Sequence, residues 1–290
     1  VFEALDTVAK LAVLVFVVSS MATMGLSLTA REIVAPLGQV RLVVLALVAN
    51  FAVVPLLAYA LTFPLREAHA VGLLLLGGAA GAPFLPKLAE LAHGDLGLAV
   101  GLTILLMVAS AAFLPVALPL LIPGMRADFW SLVHPLLTQM LVPLAAGLLV
   151  RRYWGPLAER LKPALGVVTN VSLVVLMVLL FGLNVPALLG TIGSGAIAVA
   201  AVFVALAFAT GYALGGPDAG SRSVVGLATG QRNVAAALVT ATGCYPNDPD
   251  VVVMLLVVTL VGLGVLLLAV RAVRPAAPPQ PTPSPGGSHE

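Results

Sequence analysis

Charged side chains are scarce in this sequence. Asp, Glu, Lys and Arg make up only 9% of its 290 residues, while 61% are hydrophobic. A soluble domain carries about 25% charge, so most of this surface has no means of facing water. Cysteine is rarer still. Cys244 stands alone, which excludes an intrachain disulfide and any cysteine-based metal motif. Histidine is confined to His69, His93 and His134, near the ends of apolar runs, and to His289 in the tail. There is no HExxH, no GxSxG and no intramembrane pair of aspartates. The parts of an intramembrane enzyme are therefore missing, and neither a bound metal nor a cofactor is expected. The basic residues are scattered and the net charge is only +2, so no nucleic-acid surface is indicated.

What is present is a succession of apolar runs of about 20 residues, the length that crosses roughly 30 Å of hydrocarbon. They do not alternate polar with apolar, which argues against a β-barrel. The sequence predicts an all-α polytopic membrane protein with a lipid bilayer as its solvent. Nine spans are expected, at 6–28, 38–63, 69–92, 95–122, 130–151, 164–185, 188–215, 220–243 and 249–271. The first run lacks a small-residue cleavage pattern and is long enough to span, so it reads as a helix rather than a signal peptide. Residues 274–290, rich in Pro, Gly and Ser, read as a disordered tail.

Loop charge supplies an orientation. Arg31, Arg41, Arg151, Arg152, Arg160, Lys162, Arg222, Arg271 and Arg274 fall on one set of alternate loops. The opposite set holds Arg66 and Arg126 beside Glu67, Asp128, Asp248 and Asp250. The positive-inside rule then places the C-terminus in the cytoplasm and, with nine spans, the N-terminus outside.

Two spans are abnormal. The third reads "VGLLLLGGAAGAPFLPKLAEL", and Gly78, Gly81, Pro83 and Pro86 should break its helix near the middle. The eighth reads "SVVGLATGQRNVAAALV", where Gly226 and Gly230 precede a polar trio. Paired interruptions at matching places in two halves point to the central site of a transporter built from inverted repeats.

Each broken span carries a base. Arg232 lies about ten residues from either end of its span, roughly 15 Å, too far to snorkel to the interface. It must meet protein, water or ligand, since the bilayer centre costs an arginine about 2.5 to over 10 kcal/mol. Two roles stand open for it: a clamp on an anionic ligand, or a structural group bonded to carbonyls freed by the broken helices. Lys87 follows Pro86, a residue suited to starting a new half-helix. Its helical partner is Glu90, and the sequence leaves open whether that pair closes. Asn50, Thr103, Gln139 and Asn170 are the other polar groups near mid-span, and such residues often serve as interhelical bonds.

These stretches resemble the bile acid:sodium symporter family, as a bacterial-type member. The resemblance is carried by "MATMGLSLTAREI", "ANFAVVPLLAYAL", "GAPFLPKLAELAHGDLGLAVGLT", "TQMLVPLAAGLLVRR" and "ATGQRNVAAALV", in order, to about Val273. It implies two discontinuous helices crossing at the membrane centre, in a core of about 38–122 and 188–271. A panel of about 6–28 and 130–185 moves against that core, all within one transporter domain, 1–273. It also implies an integral protein of the bacterial inner membrane.

The departures from the family are informative. The resemblance puts the sodium-coupled members' Ser-Asn pair at Leu85 and Pro86, a serine at Ala99, and the shared glutamate at Ala228. A glutamine falls on Arg232, with Gln231 beside it, and another becomes Asn50, while Thr103 is kept. The expected function is a secondary transporter of a small organic anion without sodium coupling. Arg232, Lys87, Asn233, Gln231, Thr229, Thr103 and Asn50 are its expected substrate-binding residues, and proton coupling through Lys87 is one energetic option. The alternatives are a sodium-coupled symporter with a rebuilt ion site and a non-transporting membrane sensor.

Overall fold

The computed structural model describes residues 2–27, 29, 31, 38–122, 134 and 137–273. The tail from 274 onward, the loop bearing Arg126 and Asp128, and the start of the expected fifth span lie outside the described residues. Among the described residues all regular structure is helical. We number the α-helices α1 Phe2–Ser27, α2 Val40–Val48, α3 Val54–Ala60, α4 Glu67–Gly78, α5 Leu85–Leu91 and α6 Leu96–Leu121. They continue as α7 Val142–Tyr153, α8 Gly155–Gly190, α9 Ala196–Leu214, α10 Ala219–Gly230, α11 Val234–Cys244 and α12 Pro249–Val273.

Helices α2 and α3 are one rod joined by a π-helical turn, Ala49–Val53, and a second such turn, Leu137–Leu141, leads into α7. Four rods are long and apolar enough to cross a membrane: Val40–Ala60, Gly97–Leu121, Ala196–Leu214 and Pro249–Val273. Those four are what length and composition establish among the described residues; the count of nine goes further than that. Helix α8 runs 36 residues, well beyond the expected 164–185. The reason lies in "GPLAERLKP", where Pro156 enters the first turn and Arg151 bonds Glu159 across the α7–α8 corner.

Packing divides the helices into two groups. Helix α1 lies along α7 and α8, while α9 packs on α10 and α12, and α4 on α3 and α12. Helix α8 meets α12 between the groups. In lipid, tails are as apolar as leucine, so helices associate through close fit rather than through expulsion of water. Gly25 of α1 and Gly147 of α7 show what that requires. A Cβ on Gly25 would stand 2.9 Å from Gly147 Cα and would run into Leu144 O. The two backbones touch there because neither has a side chain.

Both expected breaks are present, with one correction to their residues. Helix α4 stops at Gly78, and Ala79–Phe84 is unwound before α5 begins with Pro86 in its first turn. Gly81 takes φ +78°, and its Cα faces the α6 backbone so closely that a Cβ would stand 2.6 Å from Met107 Cα. The second break is Gln231–Asn233, with Gly230 closing α10. Gly226 does not interrupt anything. It sits within α10, where a Cβ would meet Phe208 and Tyr212 at 3.0 and 3.1 Å, so its role is close packing against α9.

Gly147→Leu should therefore cost about 3 kcal/mol or more and lower the melting temperature in detergent sharply. Gly264→Ala in α12, where a Cβ meets nothing within 4 Å, should instead gain about 0.5–1 kcal/mol. Equal effects of the two would refute the packing argument.

Candidate functional site

A helix break in an apolar interior strands backbone groups. Each buried group left without a partner costs about 1–3 kcal/mol, so the two breaks persist only if their N–H and C=O groups are answered. The structure answers them largely with each other. Asn233 N donates to Ala79 O at 2.8 Å, and Asn233 Nδ2 donates to Gly81 O at 3.1 Å. Asn233 Oδ1 accepts from Ala236 N at 3.1 Å, which caps α11. From α6, the Ser110 hydroxyl serves both groups of Ala80: Ala80 N donates to Oγ at 2.8 Å, and Oγ donates to Ala80 O at 3.1 Å.

Arg232 completes the junction and is 4% exposed. Its Nε donates to Leu76 O at 2.9 Å and its Nη2 to Gly77 O at 2.7 Å. Its Nη1 donates to Asn50 Oδ1 at 2.8 Å and to Thr229 O at 3.2 Å. Asn50 in turn donates through Nδ2 to Ala46 O and to Thr229 Oγ1, and Thr229 Oγ1 donates to Val225 O. The π-helical turn carries Asn50 into this chain of bonds.

A guanidinium has five N–H groups, and four are taken by protein oxygens. A bidentate grip on a ligand carboxylate needs two. The expected clamp is therefore not what the arrangement offers; Arg232 takes the structural role that the sequence left open beside it. For Lys87 the structure decides what the sequence left open. Its Nζ lies 2.7 Å from Glu90 Oε2, both side chains being more than half exposed, so the pair closes.

A cavity of about 560 Å³ opens at the junction. Both breaks form one wall through Pro83, Phe84, Gln231, Arg232 and Asn233. The opposite wall is α1 and α8, with Ser20, Thr23, Ser27, Thr169 and Asn170, and Thr259 and Leu263 of α12 close the space. Of the seven residues expected to bind substrate, Arg232, Gln231 and Asn233 line it. Lys87, Asn50, Thr103 and Thr229 do not. Thr103 Oγ1 donates instead to Ala99 O of its own helix at 2.7 Å. Of the buried side-chain atoms without a hydrogen-bond partner among the described residues, Thr23 Oγ1 and Gln231 Oε1 belong to the cavity lining, one on each wall, and His69 Nδ1 lies away from it.

Sequence reasoning passed over the α1 wall. Its signal was present: Ser20, Thr23 and Ser27 recur at helical spacing on one face. Asn170, of a residue type suited to an interhelical bond, lines the cavity. Ser110 carried no signal, being one serine in an apolar helix. No group of three or more His, Cys, Asp or Glu that could hold a metal occurs among the described residues.

Ser110→Ala should strand both polar groups of Ala80 and cost about 1–3 kcal/mol, read as a lower melting temperature. Thr103→Val removes a hydroxyl that serves only its own helix, and should cost less than about 1 kcal/mol. A reversed order would show that the unwound stretch does not depend on α6.

The comparisons with known proteins bear on this geometry. No curated protein matches the chain. The family model described as the Sodium Bile acid symporter family matches residues 13–191, a stretch that holds most of α1 and everything from there through α8, with the first break and one wall of the cavity. The second break lies beyond the matched stretch and meets the first within it. The chain belongs to the Sodium Bile acid symporter family.

Proposed function

We propose that this chain is a secondary transporter that carries an amphipathic organic anion by alternating access, without sodium coupling. The observation that carries the reading is the cavity between the two helix breaks and the α1–α8 wall. A transporter's ligand site belongs where interrupted helices meet at mid-membrane, between units able to move apart. We read α2–α6 and α9–α12 as the core, and α1, α7 and α8 as the panel that rocks against it, in a nine-span inverted-repeat fold. On that reading the C-terminus lies in the cytoplasm of a bacterial cell.

The choice of an anion follows from the sum of charges. Arg232 is a full positive charge that no carboxylate neutralises among the described residues. The start of α11, through Val234 and Ala235, also faces the cavity, and a helix N-terminus favours negative charge. Attraction without a bidentate clamp holds the anion by field, with Gln231 and the Thr23 hydroxyl free to bond its polar groups. The apolar remainder of the wall suits an apolar body.

Sodium is disfavoured by the same charge. At about 4 Å and an effective dielectric near 20, two unit charges interact by about 4 kcal/mol, which is nearly a thousandfold in affinity. Lys87 is poorly placed as a proton switch, since its paired and exposed ammonium lacks the burial that shifts a lysine.

Initial uptake into proteoliposomes, measured at fixed pH and membrane potential, should change less than about twofold when choline replaces sodium. A tenfold loss would overturn the sodium-free reading. Amphipathic carboxylates should also raise the melting temperature, by up to about 2.7 kcal/mol of stabilisation at a hundred times Kd. Equal stabilisation by an acid and its amide would overturn the anion reading. Binding without uptake would favour a sensor.

A further inference from the structure

Helix α8 is longer than a bilayer is thick. Its 36 residues extend about 54 Å at 1.5 Å each, against about 30 Å of hydrocarbon. Part of the surplus lies at its first end, where Tyr153 and Trp154 are exposed at the α7–α8 corner. Such rings gather at headgroup level. The basic residues of that corner are unevenly answered. Arg151 bonds Glu159, and the Arg152 guanidinium lies over the Tyr153 ring at 5.5 Å. Arg160 is exposed and makes no ion pair among the described residues.

Two faces of α8 are hollowed. One lines the cavity through Thr169 and Asn170. On another, Val167, Val171 and Val175 form one bank of an open groove of about 370 Å³, and Val8, Leu11 and Val15 of α1 form the other. All six are 40–62% exposed, so the groove opens outward to lipid. Valine is stiff at χ1, which keeps the banks apart. The one polar residue of the lining, Ser172, donates its hydroxyl to Thr169 O at 3.0 Å. The groove therefore asks for an apolar occupant. Arg160 stands on the groove's face of α8, two turns before Val167 and about 10 Å nearer the corner.

We propose that this groove seats an acyl chain of an anionic glycerophospholipid whose phosphate meets Arg160. The apolar groove fits the chain, and an unpaired cation in register with it, at headgroup depth, fits the phosphate. A zwitterionic lipid offers the same chain with a neutral head, so net charge decides between them. Lys162 supplies an internal comparison. It carries the same charge at nearly the same depth, but about 200° round the helix from Arg160 and away from the groove. The site lies on the outer side of α1 and α8, and it stands whether or not the cavity carries an organic anion.

The test reads the melting temperature of the full chain in detergent micelles that contain dioleoylphosphatidylglycerol or dioleoylphosphatidylcholine at equal mole fraction. Phosphatidylglycerol should raise the wild-type value by roughly 3 °C over phosphatidylcholine. Arg160→Gln should lose most of that difference, and Lys162→Gln should keep it. Val171→Trp fills the groove from its exposed rim and should lose the difference with every charge in place, as should Val175→Phe. Glycerophosphoglycerol, the headgroup without its chains, should have no effect. Equal wild-type values in the two lipids would overturn the proposal. So would equal losses in Arg160→Gln and Lys162→Gln, which is the response of general surface charge. A full response in both groove variants, or one to the soluble headgroup alone, would show that no chain is seated there. Stabilisation that follows protein concentration rather than lipid would give the groove to a second copy of the chain and overturn the proposal as well.

Discussion

Unwound backbone inside an apolar interior is the constraint on which this structure depends. Water is not there to satisfy the groups that a broken helix releases, so each break must find partners elsewhere in the protein. Here the two breaks are each other's main partners. Asn233 ties its own segment to Ala79 and Gly81, and Arg232 ties it to Leu76 and Gly77. At about 1–3 kcal/mol for each stranded group, neither break would persist if the other were straightened. The position of the cavity follows from this, because the junction fixes one wall of it and leaves α1 and α8 to supply the other.

The breaks were legible in the sequence and their bonding was not. Pro83, Pro86 and Gly81 each forbid or disfavour a regular turn, and those rules act on one residue at a time. The direction of the Arg232 side chain depends on which carbonyls are freed, and those belong to a segment some 155 residues earlier. Residue-level reasoning could say that this arginine must be buried and answered. It had no means of choosing between a ligand and a carbonyl. Gly226 is the opposite case, a glycine near a break whose absent side chain serves the packing against α9 and not the break. Lys87 and Glu90 were legible as a pair, but closure depends on exposure, which the third dimension sets.

The extent of the helices was legible to different degrees for a related reason. Apolar runs mark the part of a helix that lies in hydrocarbon, and a helix does not end where its apolar stretch ends. Helix α8 continues through Glu159, Arg160 and Lys162 because those residues favour helix and sit on an exposed face. The π-helical turn at Ala49–Val53 had no mark at all in an apolar sequence, yet it belongs to the segment that brings Asn50 to the junction.

Charge at the junction is sorted by depth. The C-terminal ends of α4 and α10 face the guanidinium, while the start of α11 faces the cavity. Those helix ends offset part of the Arg232 charge, and the cavity receives the remainder of it together with the positive field of a helix start. A salt bridge closed directly on a substrate would be strong in a low-dielectric space and slow to release. A field delivered through a backbone end, with hydroxyls and amides lining the walls, attracts an anion without trapping it. For a carrier that must let go on the far side, a binding site should be no tighter than the conformational change can undo. Keeping the full cation committed to the fold, and showing the cavity only its residual field, meets that requirement.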